Sequence, residues 1–480
     1  MQASDGRAEQ SADPTGLWAP ARRGMTTGLV LTTTFIAAEA LAVLTIMPQV
    51  ERDLGGLSLY GWVFSSFMLA SLVGTVAAGR EADRAGPARP YVAGLLLFGA
   101  GLLVAGLAPS MSVLVVGRSL QGLGAGAVPA VAYVAIGRSM PAPLRPRMMA
   151  VLSTAWVIPG LIGPVLSAEV ASAAGWRVVF LGLIPLVALA GGLALPALVR
   201  MGRPAPVAAA AGGVEHRLSD ALRAALGGAL VLQALATSDA AAAVALGLAG
   251  LAIGVPALRR LLPAGTLSAR GGLPATILSR GLLTFAFFGA DAYVTLALTT
   301  ALHHSTRVAS VLITLPTLTW TLGSWIQARL SRHHEGRTLV RAGLVLLLAG
   351  IAGMAVSLAP RVPLAVPFVA WSAAGLGIGL AYAPTSLLML HEATAERTGW
   401  ASASLNLSDV LGTALGTGLG GAALVLASNQ GWSISTGITV AFAIAGVGGI
   451  AGLAVSGRLP LQGIGRAVKR EPLAEPAAVP

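Results

Sequence analysis

Leu114-Val115-Val116-Gly117-Arg118-Ser119-Leu120-Gln121-Gly122-Leu123-Gly124-Ala125-Gly126 holds one arginine in an otherwise apolar, glycine-rich run. The run around it, 112–137, exceeds the roughly 20 residues that a helix needs to cross a bilayer. Glycine inside apolar runs is more frequent in membrane helices than in soluble ones. The triplet Gly122-Leu123-Gly124-Ala125-Gly126 returns 253 positions later as Gly375-Leu376-Gly377-Ile378-Gly379. The same offset carries Leu152 to Leu405 and Gly163 to Gly416. The simplest reading is two membrane bundles of like orientation, a transporter architecture in which the substrate path lies between the halves.

The rest of the chain agrees. Of its 480 residues, 55% are hydrophobic and 10% charged, whereas soluble domains carry about a quarter charged; the mean hydropathy is +0.79. A water-soluble enzyme is excluded. Apolar runs predict spans near 26–47, 58–79, 90–109, 112–137, 146–170 and 177–199, and again near 275–301, 307–328, 339–358, 363–390, 399–427 and 433–456. Two shorter runs, 221–236 and 240–258, are parted by Thr237-Ser238-Asp239 and form a membrane hairpin, giving fourteen helices. Twelve spans with a long apolar linker is the alternative. With no cysteine, disulfides, Fe–S clusters and thiolate zinc sites are ruled out. His303-His304 and His333-His334 lack partners at ligand spacing, so neither a metal nor a cofactor is expected.

Arginines set the orientation. Arg52, Arg177, Arg307 and Arg361 fall in loops on one side, Arg118 alone falls within a span, and the remaining basic residues lie on the side of the N-terminus. The positive-inside rule then places both termini in the cytoplasm. The net charge of +12 faces the anionic inner leaflet, and no nucleic-acid partner is needed to explain it. The expected organisation is a tail at 1–24 with no cleavable signal, a six-helix bundle at 25–200, and a linker at 201–272 carrying the hairpin at about 221–258. A second six-helix bundle at 273–457 and a tail at 458–480 follow. A single lysine amid an alanine and glycine excess suggests a bacterial source, hence the plasma (inner) membrane.

Four ionisable residues stand where lipid or a dry core is expected. Glu39 lies roughly 18 Å into its helix, Asp291 is central in Phe287-Phe288-Gly289-Ala290-Asp291, Asp409 sits beside Asn406 and Ser408, and Arg118 is about two turns from a helix end. Each ionised group costs on the order of 2.5–3.5 kcal/mol at mid-membrane on insertion scales. A carboxyl that alternates between a dry and an arginine-paired or hydrated state can take up and release protons. Glu39, Asp291, Asp409 and Arg118 are therefore the candidates for proton coupling or substrate contact. The offset of 253 matches Arg118 to Trp371 and Trp156 to Asp409, and takes Glu39 to within one residue of Asp291. Phe64, Phe67, Trp156, Trp320 and Trp371 could line an amphipathic pocket through cation–π contact, or serve as packing. Gly412, Gly416 and Gly420 form a small-residue face for close helix approach.

Several stretches carry a family resemblance. Gly79-Arg80-Glu81-Ala82-Asp83-Arg84-Ala85-Gly86-Pro87-Ala88-Arg89 resembles motif A of the major facilitator superfamily, G-x-L-A-D-R-x-G-R-R. Gly79, Asp83, Arg84, Gly86 and Arg89 fit, while Glu81 and Pro87 depart. The stretch with Arg118, Gln121 and Gly122 is similar to motif B and its buried arginine. Pro159-Gly160-Leu161-Ile162-Gly163-Pro164-Val165-Leu166-Ser167-Ala168 resembles the antiporter motif C, G-x-x-x-G-P-x-x-G-G. Gly163 and Pro164 fit it; Pro159 holds the first glycine's place, Gly160 follows, and Ser167-Ala168 replace the last pair. Glu39 stands nine residues before Pro48, similar to the L-D-x-T-I-V-N-V-A-L-P signature of fourteen-helix drug:proton antiporters, with Leu41 and Leu44 in place of Thr and Asn.

The resemblance implies an all-α membrane protein of the major facilitator fold, two six-helix bundles with an inserted hairpin, that works by rocker-switch alternating access. It implies proton-driven efflux of amphipathic small molecules, with Arg118 assisting the proton step. It also implies that Asp83 latches one conformation through nearby arginines and the start of the span at 399–427, close to Arg397. The expected partners are a small amphipathic substrate, protons and the bilayer, and the expected unit is a monomer. Export of one endogenous metabolite or lipid, proton symport, and a receptor without transport are the competing readings. No zincin or paired-carboxylate metal motif supports an enzyme.

Overall fold

The computed structural model describes residues 16–141, 144–202, 214–331, 333–393 and 398–461. Most of both expected tails and part of the linker thus lie outside the described residues. The first bundle comprises α1 (Pro20–Leu54), α2 (Tyr60–Ala85), α3 (Ala88–Gly106), α4 (Met111–Ser139), α5 (Arg145–Thr154), α6 (Val157–Ala174), α7 (Trp176–Leu181) and α8 (Leu183–Arg200). The hairpin is α9 (Val214–Ala236) and α10 (Ala240–Leu261). The second bundle is α11 (Leu273–Leu296), α12 (Thr306–Leu330), α13 (Gly336–Ser357), α14 (Ala365–Glu392), α15 (Thr398–Asn429) and α16 (Ile434–Ser456). Fourteen helical stretches among the described residues are long and apolar enough to cross a membrane. The membrane face at which α1 begins is called the near face, and the other the far face.

The run expected as one helix at 146–170 is instead split into α5 and α6, and that at 177–199 into α7 and α8. Proline explains both breaks. Its missing N–H and its ring disrupt the bond to the carbonyl four residues earlier. Pro159 acts on Ala155, just past the end of α5, and Pro185 on Leu181, the last residue of α7.

The glycine triplets are the repeat made physical. A Cβ on Gly122 or Gly126 would run into the α2 backbone at Phe67 or Ser71, and one on Gly124 into α3 at Gly94 and Phe98. In the second bundle Gly375 and Gly379 meet α12 at Pro316 and Trp320, and Gly377 meets α13 at Gly343. Each triplet thus lets two neighbours approach its helix on two sides, in the same order in both halves. Gly412, Gly416 and Gly420 all face α11, against Gly281, Phe285 and Tyr293.

The bundles meet along two seams, α2 with α15 and α6 with α12. Helix α9 packs against both α2 and α15, and α10 packs on α9 through a close approach of Gly227 to Gly250 and Gly254. The hairpin therefore flanks one seam. Asp239 caps the start of α10, accepting from the Ala241 N–H at 3.0 Å.

Candidate functional site

In the first bundle, Glu39 on α1 is 1% exposed and Arg118 on α4 is 2% exposed. Arg118 Nη1 is ion-paired to Glu39 Oε1 and also donates to Gln121 Oε1 at 2.5 Å. Its Nε donates to the Val63 carbonyl at 3.1 Å, and the guanidinium lies 4.2 Å from the Phe67 ring centre. Val63 and Phe67 reach it because Gly122 lets α2 come close. Motif B is thus one physical unit: Gln121 orients the arginine one turn away, and Gly122 admits the helix that surrounds it. The other oxygen of Glu39, Oε2, and Gln121 Nε2 are buried without a hydrogen-bond partner among the described residues. A buried polar atom left unpaired costs about 1–3 kcal/mol, more when charged.

The second bundle repeats the layout with different chemistry. Asp291 on α11 is 6% exposed, and the indole N–H of Trp371 on α14 donates to its Oδ1 at 3.0 Å. Position 371 is the one the offset of 253 matches to Arg118. Each bundle thus sets an acid of its first helix against the same repeat position of its fourth. Phe287 stacks on Trp371 at 5.4 Å and meets Trp320 edge-on at 5.6 Å. The expected aromatics Trp320 and Trp371 are brought together around Asp291.

Asp409 on α15 belongs to a third cluster nearer the near face. Tyr382 O–H donates to its Oδ2 at 2.6 Å, and Arg280 Nη1 lies 3.8 Å from the same oxygen. Arg280 also donates through Nε to Thr385 Oγ1 at 2.8 Å and through Nη2 to Ser386, and its guanidinium sits 3.4 Å over the Tyr382 ring. The expectation that Arg118 is the only arginine within a span is corrected here: Arg280 is 2% exposed, about two turns into α11. Ser408 does not serve Asp409 but donates to the Ile277 carbonyl at 2.7 Å. Trp320, 5.2 Å from Tyr382, joins this cluster to the one around Asp291.

The remaining expected residues divide. Phe64 is buried but lies beside Tyr60, at 5.7 Å, rather than among the aromatics near Asp291. Trp156 is 48% exposed at the break before α6 and joins none of these ring contacts. Gly160, not Gly163, makes the motif C contact across a seam, against Thr317 of α12; Pro164 is buried. Gly86 ends α2 with φ +86°, a left-handed turn that favours glycine. Around Gly79 there is open space. Asp83, Arg84 and Arg89 are exposed, and no ion pair ties Asp83 to α15 among the described residues. Arg397 lies outside them.

The polar ties between the bundles among the described residues lie toward the far face. Ser65 O–H contacts the Ala414 carbonyl at 2.9 Å and Thr417 at 3.1 Å, Gly61 touches Gly421, and Arg307 holds Glu169 through two bonds of 2.6 and 2.8 Å. Toward the near face the α2–α15 seam parts into a cavity. The bonded contacts across the seams thus lie toward the far face among the described residues, and the cavity bounded by α2, α15 and the hairpin lies toward the near one.

A model of the Major Facilitator Superfamily matches residues 25–417. A probable multidrug-efflux transporter of Mycobacterium tuberculosis (H37Rv) is 26% identical over 476 residues, covering 92% of this chain and 96% of that protein. The multidrug transporter protein MdtP of Bacillus subtilis is 32% identical over 172 residues, 35% of this chain and 32% of its own. The xylose transporter XylE from E. coli, in a partially occluded inward-open conformation, superimposes with a TM-score of 0.61 at 13% identity, over 90% of this chain and 96% of that one.

Proposed function

The chain belongs to the major facilitator superfamily, and from that premise we propose that it exports amphipathic, cation-bearing small molecules in exchange for protons. The likeness to a multidrug-efflux transporter along nearly the whole of both chains supports this class of cargo. The arginine distribution supports a plasma-membrane protein with cytoplasmic termini. On that orientation the contacts that join the bundles at the far face lie outside, and export would load cargo from the near face. The proton gradient is the energy source, and no cofactor takes part.

The observation that carries the reading is the pair of acids on the first helix of each bundle, Glu39 against Arg118 and Asp291 against Trp371. Protonation of Glu39 at its unpartnered Oε2 removes the charge that holds Arg118. Arg118 also grips α2 through Val63 and Phe67, and α2 forms a seam with α15. A proton at Glu39 is thus one side chain from the surface that must slide when the bundles rock. Asp291 accepts only a neutral donor from Trp371, so a cationic cargo would supply its countercharge once the cluster of Trp320 with the buried rings of Phe287 and Trp371 opens.

The test is Glu39→Gln in inverted membrane vesicles loaded with cationic dyes. The variant is expected to insert normally and to lose pH-gradient-driven efflux. Wild-type rates from it would remove Glu39 from the proton step, and efflux indifferent to an uncoupler would remove the proton altogether.

A further inference from the structure

Between the near-face halves of α2 and α15 lies a cavity of about 130 Å³, walled on its third side by the hairpin α9–α10. Its deep end is mostly apolar, lined by Leu72, Leu407 and Val410 with Thr75 and Asn406 among them, and its mouth is set by Trp400, Arg217 and Arg260. From Trp400 to Val410 is about 15 Å of helix, half of a hydrocarbon core of about 30 Å. Along the helix axis the cavity thus matches the depth of one leaflet, with mostly apolar walls inward and its two lining arginines at the mouth. Asp220 shares its carboxylate between Arg223 and Arg260, both at 3.4 Å. Arg217 makes no hydrogen bond or ion pair among the described residues. Two guanidiniums, Arg217 and Arg260, line the mouth, and only Arg260 is paired to an acid there, one it shares with Arg223, so the mouth keeps a positive excess. Basic pockets between membrane helices hold anionic headgroups by this charge match, and Trp400 sits where an indole favours the interface.

We propose that this cavity binds one acyl chain of an anionic phospholipid, with its phosphate on Arg217 and Arg260, and that the hairpin serves to build the site. Without α9 the seam between α2 and α15 would have no outer wall at this depth. The chain fills the part of the seam that must close when the near face shuts, so the bound lipid holds the conformation described here. The proposal is independent of the cargo and of proton coupling.

Native mass spectrometry of the purified full-length protein, with phosphatidylglycerol or phosphatidylcholine of equal chain length, tests it. One phosphatidylglycerol is expected to be retained in preference to phosphatidylcholine. An arginine near the surface is worth roughly fivefold in affinity, so Arg217→Gln with Arg260→Gln should lower phosphatidylglycerol binding by about 25-fold, to the phosphatidylcholine level. Ala403→Phe, at an exposed position lining the cavity and with no change of charge, should displace both lipids while leaving the thermal unfolding midpoint near that of the wild type. It decides the matter even if the double variant fails to fold. Equal retention of the two lipids, or phosphatidylglycerol binding untouched by Ala403→Phe, overturns the proposal. So does displacement of the lipid by inorganic phosphate, which would make the arginines a site for free anions.

Discussion

In the first bundle the acid on the opening helix meets a guanidinium; in the second, the residue 253 positions on from that arginine is an indole, and the acid there accepts a neutral hydrogen bond. The scaffold is shared and the charge balance is not. Glu39 is matched by a countercharge that also grips α2, so its ionisation is tied to the position of a seam helix. Asp291 has no such counterion in its pair; its partner there is the neutral indole N–H of Trp371.

The inequality can be broken by mutation, and the largest effect falls in the first bundle. Arg118→Met strands a buried carboxylate, a loss of about 3–5 kcal/mol for a severed buried pair. Trp371→Phe keeps the stack on Phe287 and removes one donor, a loss of about 1–3 kcal/mol. Thermal unfolding in detergent should therefore rank Arg118→Met well below Trp371→Phe, and Glu39→Gln added to Arg118→Met should restore much of the difference. Equal damage from the two single variants would show that Asp291 depends on Trp371 as Glu39 depends on its arginine.

The shared scaffold makes the opposite prediction, of likeness. Gly122→Ala pushes a methyl into the α2 backbone and Gly375→Ala pushes one into α12. Overpacking of this kind costs about 1–3 kcal/mol. The two variants should lose similar stability by the same unfolding measurement, and a loss confined to one half would sharpen the contrast by showing that only one triplet bears close packing.

How much of this the sequence discloses depends on contrast with lipid. Glu39, Arg118 and Asp291 stand out because an ionisable residue at mid-span is costly wherever it points. Arg280 does not stand out: close to the start of its helix it reads as a cytoplasmic charge, and only its neighbours Tyr382, Thr385 and Ser386 reveal that it turns inward. Aromatics are harder still, because a face toward lipid and a face toward protein are equally apolar. Nothing in the pattern separates the exposed Trp156 from the buried Trp371, and the offset of 253, which pairs 371 with Arg118 and 156 with Asp409, treats them alike. The breaks at Pro159 and Pro185 are legible in proline chemistry, whereas hydropathy runs straight across them.

The two ends of the interbundle seam give the smallest predicted effect and the one closest to transport. At the far face Glu169 and Arg307 are joined by two bonds, while at the near face Asp83 stands exposed and unpaired among the described residues. An exposed ion pair adds little to stability, so Glu169→Gln should leave the unfolding midpoint unchanged. It should instead shift the balance between conformations, because the pair exists only while the far face is shut. The chain has no cysteine, so a single Thr317→Cys reports cleanly on the α6–α12 seam, where Thr317 covers Gly160. Labelling of that thiol by a membrane-impermeant maleimide from the far side should rise roughly two- to fivefold in Glu169→Gln. High salt should raise it in the parent as well, since surface charges are screened. Asp83→Asn removes no ion pair found among the described residues, so it should lower far-face labelling only if the near-face latch forms when the far face opens. Labelling that ignores Glu169→Gln would mean that Ser65 and the Gly61–Gly421 contact hold the far face shut, with the ion pair merely following them.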